Sequence, residues 1–552
     1  MIRHLLAATA LMLAVPADAA KTLIVNANGY TLDSNGSVRR FSTLFVGDDG
    51  KVLAILQKGA AEPKLAVGDF RLDAKGRALI PGLIDAHGHI MSLGLQLRSL
   101  DLSATTSLAD AQTKIAAYAA KDTSAGWIRG GGWNQVSWAL GRMPTAAELD
   151  AAYGARPVWL SRVDGHAGWA NTAALKAAGI TKATKDPAGG RILRDAAGNP
   201  TGVLIDAAMD LVEKVAPPPS AGEREKALEA ALEHLVALGL TGVHDMGTSA
   251  EDWALFRTFG DEGRLTLRIT AYAAGMPAME AISPLRPTPW LYNGRLKLQG
   301  IKLMADGALG SRGAFLLQPY TDEPGTRGLQ MLDDAKMKNL FSRANYLGYQ
   351  VAVHAIGDAA NRQALDAFTE IRPAYGDKFR NRIEHAQVID PADIPRMAEL
   401  KIIASVQPTH ATSDKAMAAD RLGEARLEGA YAWATLRKAG VKLAFGSDFP
   451  VEPANPFYGL HAAVTRQDRQ NQPPGGWRPQ EALTLQQALA GFTTDAAWAG
   501  GMDGKVGSLQ EGAYADFLLL DRDPFTIAPA ELPQVMVEES WLDGRRVFVR
   551  KP

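Results

Sequence analysis

Pro81-Gly82-Leu83-Ile84-Asp85-Ala86-His87-Gly88-His89 is the stretch on which the reading turns. An apolar run ends in polar residues, and residues two apart in a strand share a face, so His87 and His89 project to one side at its C-terminal end. That is a geometry for holding a metal ion. Ten histidines in 552 positions place about 0.2 such pairs by chance, so the pair is weak alone. Its setting strengthens it, because Asp85 and two imidazoles at a buried strand end are costly without a partner that satisfies them.

Outward from this stretch, apolar runs capped by polar residues recur with helical text between them. Eight are found: 78–84, 240–244, 267–272, 300–304, 350–354, 382–385, 402–406 and 441–445. Strands buried on both faces read as near-continuous apolar runs, and βα units in series give a parallel sheet; eight predict an α/β fold, a (β/α)8 TIM barrel. The segment 224–238 has helical composition and spacing. About 150 residues separate the first run from the second, far beyond an ordinary βα loop, which predicts an inserted α/β subdomain at about 100–223 beside the site, with a strand of its own at 157–161. The text from 21 to 77 is strand-like, at 22–25, 43–46 and 52–56. So is the chain's end, at 515–520, 534–537 and 546–549. Neither block buries a face alone, so 20–77 and 500–552 are expected to pair into one small β domain, with the barrel spanning 78–499.

The N-terminus has the form of a cleavable signal peptide over 1–19: a positive residue at Arg3, an apolar stretch from Leu5 to Val15, and Ala17-Asp18-Ala19. The mature protein is therefore expected in the periplasm or secreted, without a membrane anchor. With 59 Lys and Arg against 60 Asp and Glu there is no field to attract nucleic acid. Zero cysteine excludes a disulfide framework, thiolate zinc sites, iron–sulfur clusters and a cysteine nucleophile. Any metal then sits on histidine, carboxylate or modified lysine.

Three more strand ends repeat the theme. Run five ends in His354, run six in Glu384-His385, and run eight continues into Gly446-Ser447-Asp448. A single such histidine is more often a core residue bonded to a carbonyl. Four histidines and one aspartate meeting at one barrel mouth reverse that, and this donor set is what a borderline ion such as zinc selects. Run four carries Lys302 in Ile301-Lys302-Leu303-Met304-Ala305-Asp306. A buried lysine is either an ion-pair partner, with Asp306 at hand, or a modifiable amine, and the residues alone do not choose.

These residues resemble the amidohydrolase superfamily, most closely its amidohydrolase family 3 branch, which holds metal-dependent hydrolases of the N-substituted formamide deformylase type. Gly132-Trp133-Asn134, Asp164-Gly165-His166, 171–175, Gly242-Val243-His244-Asp245 and Gln407-Pro408-Thr409-His410 carry the likeness along almost the whole mature chain. The resemblance implies a barrel with a composite β-sandwich from both termini. It also implies that Lys302 is carboxylated and bridges two zinc-like ions, the first held by His87, His89 and Asp448 and the second by His354 and His385; some branches keep one ion. The activity so implied is hydrolysis of an amide or related C–N bond of a small molecule by a metal-activated hydroxide, with Asp448 relaying the proton to the leaving nitrogen.

Trp133 and Trp138 are candidates for an apolar substrate wall, with a subdomain core as the competing use. His166 in the insertion is a candidate substrate contact. His244 at the second strand end offers support for a ligand or a substrate contact, and His410 follows strand seven near the mouth. His234 and His461 read as surface or helix residues. A lactone or ester hydrolase on the same centre is one rival, a non-catalytic binding protein on a degenerate barrel another. An oligomer of identical chains is compatible with each.

Overall fold

The computed structural model describes residues 20–33, 36–122, 126–135, 137–162, 167–187 and 190–551; the signal-peptide segment 1–19 and His166 lie outside them. Two compact units emerge, one joining the chain up to Ile90 with Leu232 onward, the other Met91–Ala231.

The larger unit contains an eight-stranded parallel barrel: β1 (Leu83–Gly88), β2 (Leu240–Thr248), β3 (Arg268–Ala274), β4 (Leu296–Met304), β5 (Gln350–Ala355), β6 (Arg382–His385), β7 (Ile403–Val406) and β8 (Leu443–Phe445). Every residue of β1, β5, β6, β7 and β8 is buried, so Val, Ile, Leu and Ala fill most of β5, β7 and β8 and open β1, whereas β6 carries Arg382 and Glu384 into the interior. The ring closes at its C-terminal rim. Asp448 N–H donates to His87 O (2.7 Å), His89 N–H to Phe449 O (2.9 Å), and Gly88 bridges Phe449 in parallel. Helices Asp334–Tyr346 and Asp358–Tyr375 follow β4 and β5, the first capped by Asp333, which accepts from Lys336 N–H. The helical reading of 224–238 corresponds to the helix Ala221–Ala237.

The first predicted strand is corrected. The run 78–84 is two strands, parted at Gly82, where a Cβ would come within 2.2 Å of Thr241 Oγ1. Ala78–Pro81 leaves the barrel and pairs antiparallel with Phe517–Leu520 and parallel with Asn28–Leu32. Both halves are buried, so the apolar text hides the turn. The resulting six-stranded sheet draws on both chain ends, and a four-stranded sheet holds Thr22–Val25, Thr43–Val46, Val52–Leu56 and Phe70–Asp73. Ile24, Leu44 and Val52 of the four-stranded sheet share one core with Leu79, Phe517, Leu519 and Trp541 of the other. The strand expected at 534–537 begins only at Val537, because Pro529–Gln534 is a 3-10 turn holding Pro533.

The second unit has its own six-stranded sheet, including Val158–Arg162, and a core built around Trp133, Trp138 and Trp169. Among the described residues no helix is long and apolar enough to cross a membrane.

Arg268, at the start of β3, joins the barrel to the C-terminal strands. Its guanidinium donates to Asp516 (2.7 and 2.9 Å) and to Asp543, all three buried, while Arg295 donates to the other Asp543 oxygen. Burial would lower the Arg268 pKa, and the two carboxylates overcome it and hold it above the usual value. Asp516→Ala, which removes two charge-assisted hydrogen bonds but leaves Arg268 paired with Asp543, is therefore expected to cost about 1.5–3 kcal/mol in denaturant unfolding. Glu370→Ala, removing the exposed partner of Lys338, should stay within about 0.5 kcal/mol.

Candidate metal centre

The C-terminal ends of β1, β4, β5 and β6 and the turn after β8 deliver the predicted residues to one cavity of about 800 Å3 lined by His87, His89, Lys302, His354, His385 and Asp448. His87, His385 and Asp448 are the tightest group, each offering a ligand atom within 4.8 Å of the others. His89 Nε2 stands 3.1 Å from Asp448 Oδ1, and the His354 ring centroid is 4.5 Å from that of His385. His385 and Asp448 sit in left-handed backbone (φ 73° and 61°), a conformation non-glycine residues rarely adopt, at the points where the chain turns off its strand into the site.

A second partner fixes the tautomer of two imidazoles. His87 Nδ1–H donates to Glu384 Oε2 (2.6 Å) and His385 Nδ1–H to Gln407 Oε1 (2.9 Å), which puts the lone pair of each ring on Nε2. Lys302 Nζ donates toward His87 Nε2 at 3.4 Å. Burial, with Lys302 nearby, lowers the His87 pKa to about 4 and that of His354 to about 3, so both rings are neutral at physiological pH. Burial alone would raise the Asp448 carboxyl, but His87, the hydrogen bond with His89 and His410 bring it to about 2. Neutral imidazoles with open lone pairs beside an ionised carboxylate fit a divalent cation.

Asp306 is not an ion-pair partner waiting for Lys302: its oxygens accept the backbone N–H groups of Phe315, Ile356 and Gly357. Asp85 clasps the closing turn, accepting from Ser447 Oγ (2.7 Å), Ser447 N–H and His87 N–H. Gly446 is required there, since a Cβ would lie 2.5 Å from His87 N and 2.7 Å from Asp85 Oδ1.

The other candidates separate. His410 lines the cavity. His244 does not; its Nδ1 accepts from Arg382 Nη1 (2.9 Å) beneath the centre, a supporting position with no face toward substrate. Trp133 is fully buried in the core of the second unit with its indole N–H on Leu160 O, so the apolar-wall reading gives way to the core reading, and Trp138 packs beside it. His461 is buried in the helix Pro456–Thr465. Arg382, Glu384 and Gln407 stand in the quoted sequence motifs without a role of their own, and Gln387 lies outside those motifs. Two charges at positions i and i+2 of a buried strand were the available signal, since both must face the barrel interior and find partners.

The model of the amidohydrolase family matches residues 72–548. Protein LONG AFTER FAR-RED 3 of Arabidopsis thaliana is 35% identical over 522 residues, covering 91% of this chain and 87% of its own. N-substituted formamide deformylase of Arthrobacter pascens is 29% identical over 546 residues, covering 95% and 97%. The crystal structure of an uncharacterized metal-dependent hydrolase from Pyrococcus horikoshii superposes with a TM-score of 0.76 at 28% identity, over 92% of this chain and 99% of that one.

Glu384→Gln, which replaces the anion behind His87 with a neutral amide, is expected to weaken the affinity of the site for a divalent cation by about 10–100-fold, measured with zinc as the probe in competition against a chelator. Unchanged affinity would show that Glu384 does not orient His87.

Proposed function

The chain belongs to the amidohydrolase family, and from that premise we propose that it is an exported zinc enzyme that hydrolyses an amide or related C–N bond of a small, uncharged substrate. The observation that carries this reading is the convergence of His87, His385 and Asp448, with both imidazoles of that group oriented from behind, in a cavity of substrate size.

His87, His89 and Asp448 would hold a first ion and His354 and His385 a second, with carboxylated Lys302 between them. The compact triad of His87, His385 and Asp448 equally suits a single ion. Burial lowers the Lys302 pKa to about 8, which eases loss of the proton that its amine must shed before taking up CO2. A bound divalent ion supplies Lewis-acid polarisation of the carbonyl and acidifies water. Asp448, ionised at neutral pH, accepts the proton of the attacking water and hands it to the leaving nitrogen.

The cavity wall favours a neutral substrate. Met246, Met304, Leu309, Leu332, Ile356 and Val451 provide an apolar surface for an N- or acyl substituent, while Asp414 and Glu452 oppose a free carboxylate. The likeness to N-substituted formamide deformylase supports N-formyl compounds as the first to try. Residues 1–19 are assigned to the signal peptide that exports the chain, and 20–77, extended by the strand Ala78–Pro81, with 500–552 to one composite β-sandwich.

Amine release should be detected from a panel of N-acyl, N-formyl and cyclic amides, faster from neutral members such as N-butylformamide than from N-acyl amino acids. Chelation should abolish it, and Asp448→Asn should lower kcat by about 10²–10⁴-fold. A metal-free active enzyme, or undiminished turnover in Asp448→Asn, would overturn the mechanism; alcohol release from esters without amine release from amides would reassign the bond.

A further inference from the structure

We propose that His410 donates a hydrogen bond from Nε2 to the oxygen of the scissile carbonyl, where negative charge gathers as the carbon becomes tetrahedral; the assignment rests on the amide-hydrolase reading above. The helix Pro408–Asp414 follows β7 and puts His410 on the cavity wall. Its side chain is only 10% exposed, and its ring lies parallel to that of His385 with centroids 6.0 Å apart.

Two neighbours decide where its proton sits. Gln387 Nε2 donates to His410 Nδ1 (3.0 Å), which leaves the ring hydrogen on Nε2. Asp448 Oδ2 lies 4.0 Å from Nε2, where a carboxylate attracts an N–H and repels a bare lone pair. Gln387 is in turn held in place: its backbone carbonyl accepts from Tyr431 N–H (2.7 Å), and the Tyr431 hydroxyl lies between its Oε1 (3.4 Å) and Asp414 Oδ2 (2.5 Å). Gln387 is thus a positioning residue for His410.

The Nε2–H so produced is buried and has no hydrogen-bond partner in the protein. Four ångströms to Asp448 is too long for a bond, so the carboxylate aligns the donor without satisfying it. Buried donors nearly always have a partner, and because His410 is a wall residue of the cavity, a molecule bound there is the partner in reach. A preset donor beside the metal-ligand carboxylate serves a carbonyl oxygen better in the transition state than in the ground state.

The test compares wild type, His410→Ala and His410→Asn, each loaded with zinc, on N-butylformamide, or on the fastest amide of the panel if that is another. His410→Ala should lose about 10²–10³-fold in kcat, as removal of an oxyanion donor does, with KM, zinc content and melting temperature nearly unchanged. His410→Asn, which keeps an N–H, should recover at least about tenfold of that loss. Turnover of His410→Ala within about threefold of wild type, loss of zinc in both variants, or Asn no better than Ala would each overturn the assignment while leaving the hydrolase reading intact. A zinc-loaded wild type that releases amine from no panel member would overturn both.

Discussion

The ion pair between Arg382 and Glu384, sealed inside the barrel, is the constraint around which the centre is built. Both side chains are fully buried, with Nε to Oε1 at 2.5 Å. Such a pair holds only if its remaining donors and acceptors are met. Arg382 meets its share through Ala86 O, Ser405 Oγ and His244 Nδ1, on strands β1, β7 and β2. Glu384 spends its second oxygen on His87. One ion pair therefore ties four strands together and sets the ring of a ligand histidine, so barrel stability and ligand orientation cannot be altered separately at this point. Burial would raise the Glu384 carboxyl, but Arg382 and His87 hold it well below the usual carboxylate range, which keeps it ionised behind the imidazole.

The strand ends were legible because a buried parallel strand has little reason to carry His, Lys or Asp except at its functional rim. That is why His87, His354, His385 and Asp448 stand out against Val, Ile, Leu and Ala. The partners behind them were not legible. Glu384 and His87 are separated by 297 positions, and nothing local marks Gln407 or Gln387 as the groups that choose a tautomer. The division of the run 78–84 was hidden for the opposite reason: two strands of different sheets, both buried, spell one apolar word. Trp133 showed the limit of composition, since an indole suits a substrate wall and a core equally until its N–H is seen to be satisfied by Leu160.

His244 and His410 show how the same residue type divides by what its second nitrogen meets. Arg382 donates to His244 from inside the barrel, and the ring becomes part of the scaffold. Gln387 donates to His410 from the wall, and the opposite nitrogen is left as a donor without a protein partner. Proximity to the centre is common to both; the direction of the free N–H is what differs.

The sheet shared by the two chain ends also governs when the protein can fold. Ala78–Pro81 lies between Asn28–Leu32 and Phe517–Leu520, so its second edge is unpaired until the last tenth of the chain has been synthesised. The barrel has the same property, since β1 meets the segment after β8 across about 360 residues. Contacts of such sequence separation form slowly and late. The nascent chain thus reaches the ribosome exit with open strand edges and an unfinished ligand set, and it is the arrival of the C-terminal segments that pairs the edges and completes the set.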